Sequence, residues 1–244
     1  MTSPGEKLSV REKIGYAAGD TASNLYFQTF LLFIPIFYTD VVGLPAAAVA
    51  TMFAVSRVFD AVNDPLMGTV ADRTRTRWGK FRPFLLWLAV PFALAGFLAF
   101  SSPDLSPTGK LVYAYITYNL LMIAYTAINV PYAALMGVMT SNTMERTSHA
   151  AYRFVGVFTG QLIIQGAALW MVGYFGQGDE RAGWKWTMAC IGVLAIALFW
   201  VCFATTRERV SPPPGQKGDL RRDLRSLLNR PWLLVGLATF FQLT

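Results

Sequence analysis

Long apolar runs separated by short charged connectors are the feature that most constrains how this chain can fold. A helix that spans a bilayer needs about 20 consecutive, mostly apolar residues, and six runs of the sequence are near or above that length. They cover residues 14–39, 46–71, 81–101, 111–139, 150–175 and 186–205. Because a backbone in lipid must satisfy its own hydrogen bonds, these runs predict an all-α polytopic membrane protein.

The composition supports a membrane protein and argues against several other classes. The chain is 54% hydrophobic and 14% charged, whereas a soluble domain carries roughly a quarter charged residues. Cys190 and Cys202 both lie in the sixth run, so we expect neither a disulfide framework nor a metal cluster. The sequence shows no nucleotide fingerprint and no nucleophile–base pair. We therefore predict no enzyme, no bound cofactor and no nucleic-acid partner.

The placement of basic residues predicts the orientation in the membrane. Of the 21 Lys and Arg residues, sixteen precede the first run or follow the second, fourth and sixth runs, and three occupy the opposite connectors. Basic residues accumulate on the cytoplasmic side of membrane proteins. The N-terminus is therefore predicted to be cytoplasmic. The two remaining basic residues, Arg57 and Arg153, fall inside apolar runs.

The sequence divides into three parts. Residues 1–206 hold the six runs, and residues 207–230 are polar, basic and interrupted by Ser211-Pro-Pro-Pro-Gly215. Residues 231–244 begin a new apolar run that is too short to span a bilayer. We interpret these parts as an N-terminal six-helix bundle, a cytoplasmic central loop and the truncated start of a seventh membrane helix.

Five ionisable residues lie inside the apolar runs and away from their ends, where each costs about 2.5–3.5 kcal/mol and usually marks function. They are Asp20, Arg57, Asp60, Asp64 and Arg153. The spacing of three and four residues places Arg57, Asp60 and Asp64 on one face of the second helix. At about 1.5 Å per residue, Asp20, Asp64 and Arg153 lie roughly 10–12 Å inside the cytoplasmic boundary, with Asp60 and Asn129 near ~18 Å. Overlapping depths on four helices predict a central site.

The buried carboxylates outnumber the buried guanidinium groups by one. An uncompensated carboxylate in a low dielectric takes up a proton or holds a metal cation. We predict that Asp60 and Asp64 bind a coupling cation, H⁺ or Na⁺, and are the metal ligands if the ion is Na⁺. The Thr126 hydroxyl, one turn before Asn129, adds an oxygen of the kind that hard cations prefer. The alternative is that Arg57 and Arg153 only neutralise these carboxylates.

Asp20 and Arg153 have a second possible use. A carboxylate and a guanidinium at matching depth can bind several sugar hydroxyls through charge-assisted hydrogen bonds. Asn24 continues the Asp20 face four residues on, and Tyr125 could offer its ring to a sugar face. For Tyr125, ordinary packing between helices is the alternative.

The connector after the second run is crowded with charge. It reads Gly68-Thr-Val-Ala-Asp72-Arg73-Thr-Arg-Thr-Arg77-Trp78-Gly79-Lys80-Phe-Arg-Pro83. Such a basic loop sets membrane topology. The arginines around Asp72 also suit a latch between the two halves of a carrier. The candidate gating residues are Gly68, Asp72, Arg73, Arg77, Gly79 and Lys80.

Three motifs resemble one transporter family closely. They are Phe37-Tyr-Thr-Asp-Val-Val-Gly43, Arg57-Val-Phe-Asp60-Ala-Val-Asn63-Asp64-Pro65 and Arg77-Trp-Gly-Lys-Phe-Arg-Pro83. The sequence resembles the glycoside–pentoside–hexuronide:cation symporters, the melibiose-permease-like branch of the major facilitator superfamily. The resemblance extends through Asn129-Val-Pro131 and Tyr152-Arg153-Phe154. It implies a twelve-helix carrier with two bundles and alternating access, of which this chain is the N-terminal half.

The resemblance also implies roles for individual residues. Asp60 and Asp64 match the paired aspartates that coordinate the cation, with Thr126 assisting. Asp20 and Arg153 match the sugar-binding pair. Asn129 stands where the melibiose permease has an aspartate that serves both sugar and cation, which favours H⁺ over tightly bound Na⁺. Gly19 replaces a lysine of that permease, so galactoside specificity is not implied.

We therefore expect a bacterial inner-membrane symporter that moves a sugar or glycoside together with H⁺ or Na⁺. An oligosaccharide, a pentoside or a glucuronide would fit. The expected partners are this small molecule, the lipid bilayer and the missing C-terminal six-helix half. Two alternatives stay open: a facilitator superfamily carrier for a non-sugar solute, and a non-transporting membrane sensor on the same scaffold.

Overall fold

The computed structural model describes residues 7–210, apart from the side chain of Val62. Within this range the chain forms seven α-helices and no strand. The helices are α1 (Val10–Ile36), α2 (Ala46–Arg73), α3 (Arg82–Trp87), α4 (Ala89–Ala99), α5 (Pro107–Met139), α6 (Thr143–Gly176) and α7 (Glu180–Thr205), and a π-helical turn (Phe37–Val41) continues α1. The predicted all-α fold is confirmed. The predicted loop beyond residue 210 and the start of a seventh membrane helix lie outside the described residues.

The predicted third span, residues 81–101, forms two helices rather than one. α3 ends at Trp87 and α4 begins at Ala89, with Leu88 between them. Pro91 has no N–H, so the carbonyl of Trp87 loses its helical partner and the hydrogen-bond ladder is interrupted. Together, α3 and α4 occupy the length of one span.

α6 and α7 both begin earlier than their apolar runs. The side chains of Asn142 and Asp179 cap these helices by accepting hydrogen bonds from backbone N–H groups of the first turn. Such caps satisfy donors that have no partner inside the helix. The helices therefore extend through polar residues that a search for apolar runs leaves out.

Four of the helices in the described range are long and apolar enough to cross a membrane, namely α2, α5, α6 and α7. α1 has 27 residues, which exceeds the about 20 needed, but polar side chains such as Asp20 and Gln28 dilute its apolar content. α4 is a shorter apolar helix. Large apolar side chains point outward, and Phe158, Leu162 and Trp170 are 57%, 68% and 68% exposed. An exposed apolar surface of this kind fits contact with lipid.

α1 lies at the centre of the bundle and packs against α6 and α7, while α2 packs along α5. Small residues allow the backbones of α1 and α6 to approach closely. A Cβ atom on Gly156 would overlap the backbone oxygen of Ala17, and one on Gly160 would lie 2.8 Å from that of Thr21. This close approach brings Arg153, one turn before Gly156, against Asp20.

The residues that follow α7 are bound to the end of α5 and the start of α1. The backbone N–H groups of Arg209 and Val210 donate to the Val138 carbonyl oxygen of α5, at 2.8 and 2.9 Å. The Arg209 guanidinium pairs with the Glu12 carboxylate of α1, with 2.7 Å between Nη2 and Oε1. Residues 207–210, the first part of the predicted central loop, are therefore part of the bundle.

Candidate functional site

Asp20 and Arg153 form a bidentate ion pair between α1 and α6. Arg153 Nε donates to Asp20 Oδ2 at 2.9 Å, and Arg153 Nη2 donates to Asp20 Oδ1 at 3.1 Å. The Asp20 side chain is 6% exposed and the Arg153 side chain is 34% exposed. The carboxylate is thus enclosed, whereas part of the guanidinium stays accessible. The guanidinium also lies 5.6 Å from the centre of the Tyr16 ring.

Asn24 and Tyr125, the other predicted sugar ligands, flank this pair in different ways. Asn24 Nδ2 donates to the backbone oxygen of Asp20 at 3.0 Å, which leaves the amide oxygen of Asn24 to other partners. The Tyr125 ring lies 6.0–6.3 Å from the rings of Phe27, Phe30 and Phe92. Tyr125 therefore packs between helices, as the alternative interpretation expected. A role for its ring in sugar binding stays a prediction.

Asp64 and Thr126 join α2 to α5. The Thr126 hydroxyl donates to Asp64 Oδ1 at 2.9 Å, and Thr126 is 7% exposed. The hydrogen bond gives one carboxylate oxygen a partner and adds no positive charge. Both groups present oxygen atoms, so together they could hold a proton or a hard cation.

Asn129 lies one turn beyond Thr126 and faces α1. Its Nδ2 donates to the backbone oxygen of Tyr125 at 3.0 Å, and its Oδ1 accepts a hydrogen bond from the Ser23 hydroxyl at 2.7 Å. Asn129 was predicted to serve both sugar and cation. The structure places it between the other residues predicted for the two ligands.

Asp60 has different surroundings from Asp64. Among the described residues, no hydrogen bond or ion pair within 4 Å is formed by its carboxylate, and Arg57 acts on it only as a nearby charge. Asp60 lines a cavity of about 150 Å³ between α2 and α5, together with polar Asn63 and Asn119. The Nδ2 atom of Asn63 is buried and has no partner in the described range. The two aspartates therefore do not share one set of ligands in this structure.

No group of three or more His, Cys, Asp or Glu residues could hold a metal ion within residues 7–210. A Na⁺ ion at Asp60 or Asp64 would therefore take most of its ligands from hydroxyl, amide and carbonyl oxygens. Thr126 near Asp64, and Asn63 and Asn119 near Asp60, are oxygen donors of this type.

Three side-chain contacts, separated by single helical turns, cross four helices in a series that we call the polar ladder. Its members are Arg153 of α6, Asp20 and Ser23 of α1, Asn129 and Thr126 of α5, and Asp64 of α2. Asp20 and Ser23 lie one helical turn apart, as do Thr126 and Asn129. The polar ladder brings polar groups of four helices together, and the prediction that they form a binding site stays a prediction.

The loop between α2 and α3 holds the predicted gating residues. Asp72 pairs with Lys80 rather than with an arginine, with 2.7 Å between Oδ1 and Nζ. Arg73 and Arg77 are exposed, and the Arg77 guanidinium lies 4.4 Å from the centre of the Trp78 ring. Gly68 faces Val130 of α5 across the helix contact. The structure thus places these residues together at one end of α2, and their gating role stays a prediction.

Glu208 fixes this loop to the end of α7. Its carboxylate accepts hydrogen bonds from the backbone N–H groups of Lys80, Phe81 and Arg82, at 2.7–2.9 Å. Gly79 has a φ of +115°, and a Cβ atom there would lie 2.5 Å from the Glu208 carboxyl carbon. A side chain at position 79 would disfavour the positive φ and would collide with the Glu208 carboxylate.

Sequence reasoning missed Ser23, Asn119 and Glu208. A signal existed for Ser23, which follows Asp20 by three residues and so shares its helix face. Asn119 precedes Thr126 by seven residues and shares the same face of α5 in the same way. Nothing local in the sequence pairs Glu208 with a loop more than 120 residues before it.

A buried ion pair and a polar ladder inside an apolar helical bundle are typical of membrane transporters. Comparison with known proteins agrees: the profile of a family described as MFS/sugar transport protein matches residues 15–244. The chain belongs to this family, and the predicted kinship with the glycoside–pentoside–hexuronide:cation symporters is confirmed.

Named relatives are similar over almost the whole chain. The inner membrane symporter YicJ of Escherichia coli strain K12 is 45% identical over 98% of this chain and 52% of its own length. The putative glycoside/cation symporter YagG of the same strain is 45% identical over 94% and 50%. The isoprimeverose transporter of Lactiplantibacillus pentosus is 38% identical over 94% and 49%. The chain therefore spans about half the length of the curated relatives it matches.

Proposed function

We propose that this chain is the N-terminal half of a symporter that moves a sugar or glycoside together with a cation by alternating access. The polar ladder carries the proposal, because it connects a pair suited to sugar hydroxyls, Asp20–Arg153, to a carboxylate suited to a cation, Asp64. Relatives named as symporters support it. The relatives are about twice as long as this chain, and a second six-helix half of that additional length completes the carrier.

The accessible part of the Asp20–Arg153 pair is the guanidinium. Arginine carries five N–H donors, of which Asp20 accepts two and the Met136 sulfur accepts a third. The remaining donors bind sugar hydroxyls, and Asp20 keeps the guanidinium in position. A pentoside or an oligosaccharide offers only hydroxyls, whereas a glucuronide adds a carboxylate that a guanidinium also binds well. Isoprimeverose, named for one relative, is a suitable first test compound.

The coupling cation is H⁺ or Na⁺, and it binds at the carboxylates of α2. Asp64 shares a hydrogen bond with Thr126, whereas Asp60 faces a cavity with amide oxygens. A proton would need only one carboxylate, and Na⁺ would need several oxygen ligands from both groups. The amide of Asn129 contributes no negative charge, which favours H⁺. No other cofactor is required.

The carrier lies in the bacterial inner membrane with its N-terminus in the cytoplasm. The excess of basic residues in alternate connectors supports this orientation. The loop that contains Asp72, Gly79 and Lys80 then faces the cytoplasm, at the end where the second half meets the bundle. The Asp72–Lys80 pair acts there as part of a latch that opens and closes during alternating access.

The rival functions have no comparable support. Relatives at 38–45% identity are named as symporters or as an isoprimeverose transporter, which favours a sugar over a non-sugar solute and transport over sensing. The transporter names of the relatives also weigh against an enzyme.

The test is uptake into membrane vesicles that contain the full-length protein. Isoprimeverose, a β-xyloside and a β-glucuronide are supplied separately, with either a Na⁺ gradient or a proton gradient imposed. We expect accumulation against the sugar gradient under one of the two ion gradients. Exchange of sugar across the membrane without accumulation under either ion gradient would contradict coupling to a cation. Failure to transport any of the three compounds would contradict the proposed substrate class.

A further inference from the structure

The Ser23 hydroxyl forms its hydrogen bond to another helix and not to the backbone of its own helix. A serine or threonine inside a helix commonly bonds to the backbone carbonyl four residues before it. Thr21 and Thr29 of α1 do so, with hydrogen bonds to the carbonyl oxygens of Ala17 and Leu25. Ser23 instead donates across to Asn129 Oδ1 of α5 at 2.7 Å. Ser23 is 5% exposed, so solvent does not compete for this bond.

The orientation of the Asn129 amide is fixed by its other hydrogen bond. Nδ2 of Asn129 donates to the Tyr125 carbonyl oxygen at 3.0 Å. A flipped amide would place its oxygen against that carbonyl oxygen, which is repulsive. Oδ1 must therefore face Ser23, and the hydroxyl of Ser23 can only act as the donor. A shift of the Asn129 side chain is transmitted to Ser23, and the reverse holds as well.

The two residues sit between two groups with different proposed ligands. We call Asp20 and Arg153 the sugar pair, and Asp64 and Thr126 the cation pair. Ser23 is one turn from Asp20 on α1, and Asn129 is one turn from Thr126 on α5. The bond from Ser23 to Asn129 joins a side chain one turn from the sugar pair to a side chain one turn from the cation pair.

The contact between α1 and α5 does not depend on this bond. The Tyr16 hydroxyl donates to the Tyr132 carbonyl oxygen at 2.8 Å, and the Tyr132 hydroxyl donates to the Tyr16 carbonyl oxygen at 2.7 Å. Their rings stack with centres 4.4 Å apart. Removal of the Ser23 hydroxyl therefore leaves the two helices joined.

We propose that Ser23 is a positioning residue that couples sugar affinity to cation binding. The inference rests on the proposed symport and names the contact through which the two sites influence each other. Cation binding changes the position of Thr126 and hence of Asn129, and the bond to Ser23 passes the change to Asp20. Coupling between two ligands is reciprocal, so sugar must raise cation affinity by the same factor.

The test measures isoprimeverose and phenyl β-glucuronide affinity of the purified full-length protein by titration calorimetry. Each titration is run with Na⁺, with choline in place of Na⁺, and at two proton concentrations. The variant is Ser23→Ala. The matched control is Thr29→Val, which removes a buried hydroxyl of the same helix that bonds only to its own backbone.

In the unaltered protein and in Thr29→Val, we expect the coupling cation to raise sugar affinity by about 5- to 150-fold. In Ser23→Ala this factor should fall to within about twofold of one, with the reverse effect of sugar on cation affinity lost in parallel. The cation-free sugar affinity of each protein is the reference for this factor. A purely structural role for Ser23 would instead lower sugar affinity equally with and without cation and leave the factor unchanged.

The possible failures are distinct. If the unaltered protein shows the cation effect and Ser23→Ala keeps it, the role of Ser23 is wrong and the symport proposal stands. If the unaltered protein binds neither glycoside, or binds without any cation effect, the symport proposal fails and the inference fails with it.

Discussion

At the scale of single residues, the Asp20–Arg153 pair gives the most specific prediction, which concerns sugar affinity. Arg153→Ala removes the guanidinium donors that we propose bind the sugar hydroxyls, and it leaves the buried Asp20 carboxylate without its partner. The loss of a hydrogen bond to a charged group is worth about 1.5–3 kcal/mol, and about 1.4 kcal/mol is a factor of ten. We expect sugar affinity to fall by about 10- to 100-fold, and cation affinity to change much less.

Direct binding to the purified variant checks this expectation. Arg153→Lys is the matched control, because lysine keeps the charge and loses the bidentate fork. The sugar affinity of Arg153→Lys should lie between that of the unaltered protein and that of Arg153→Ala. An equal loss of sugar and cation binding in Arg153→Ala would argue that the pair only holds α1 and α6 together.

The sequence predicted most members of the site but not their grouping. Depth along a helix follows from residue count alone, so Asp20 and Arg153 were placed at matching levels. Asp64 and Thr126 were grouped by the chemistry of their oxygen atoms and not by depth. The rotation of each helix about its own axis does not follow from residue count. For that reason the separation of Asp60 from Asp64 and the contact of Ser23 with Asn129 emerged only from the structure.

At the scale of helices, close packing of α1 on α6 supports the whole site. Gly156→Ala would place a methyl group on the Ala17 backbone, which cannot move aside easily. Overpacking of this kind costs about 1–3 kcal/mol. Gly166→Ala is the matched control on the same helix, since a Cβ atom there meets nothing within 4 Å.

Thermal unfolding of the two variants in detergent, followed by size-exclusion chromatography, measures the difference. We expect a lower midpoint for Gly156→Ala and an unchanged or slightly higher one for Gly166→Ala. Equal midpoints would show that α1 and α6 do not approach as closely as the structure indicates.

The helices themselves show where a sequence-based prediction succeeds and where it stops. Apolar runs located the main helices of residues 7–210, because length and hydrophobicity are local properties of the chain. The break at Leu88 and the early starts of α6 and α7 depend on a proline and on two polar caps. The pairing of Glu208 with the α2–α3 loop depends on tertiary contact and has no local signal.

At the scale of the whole molecule, the proposed orientation makes a prediction of its own. Cys190 and Cys202 are the two native cysteines, so a background without them is simple to prepare. A cysteine at Leu105 should react with an impermeant maleimide in intact spheroplasts, because the α4–α5 connector faces outward. A cysteine at Arg75 should react only after the membrane is permeabilised. The reverse pattern would place the N-terminus outside.

The central claim is that cation binding at α2 drives sugar movement through this bundle, and Asp64→Asn tests it most directly. In vesicles, this variant should lose accumulation of isoprimeverose under either ion gradient, because the amide can neither release a proton nor balance Na⁺. It should retain exchange of sugar at equal concentrations across the membrane. Asp104→Asn, which alters a carboxylate that is 98% exposed, should behave as the unaltered protein. Uphill accumulation retained by Asp64→Asn would contradict the account.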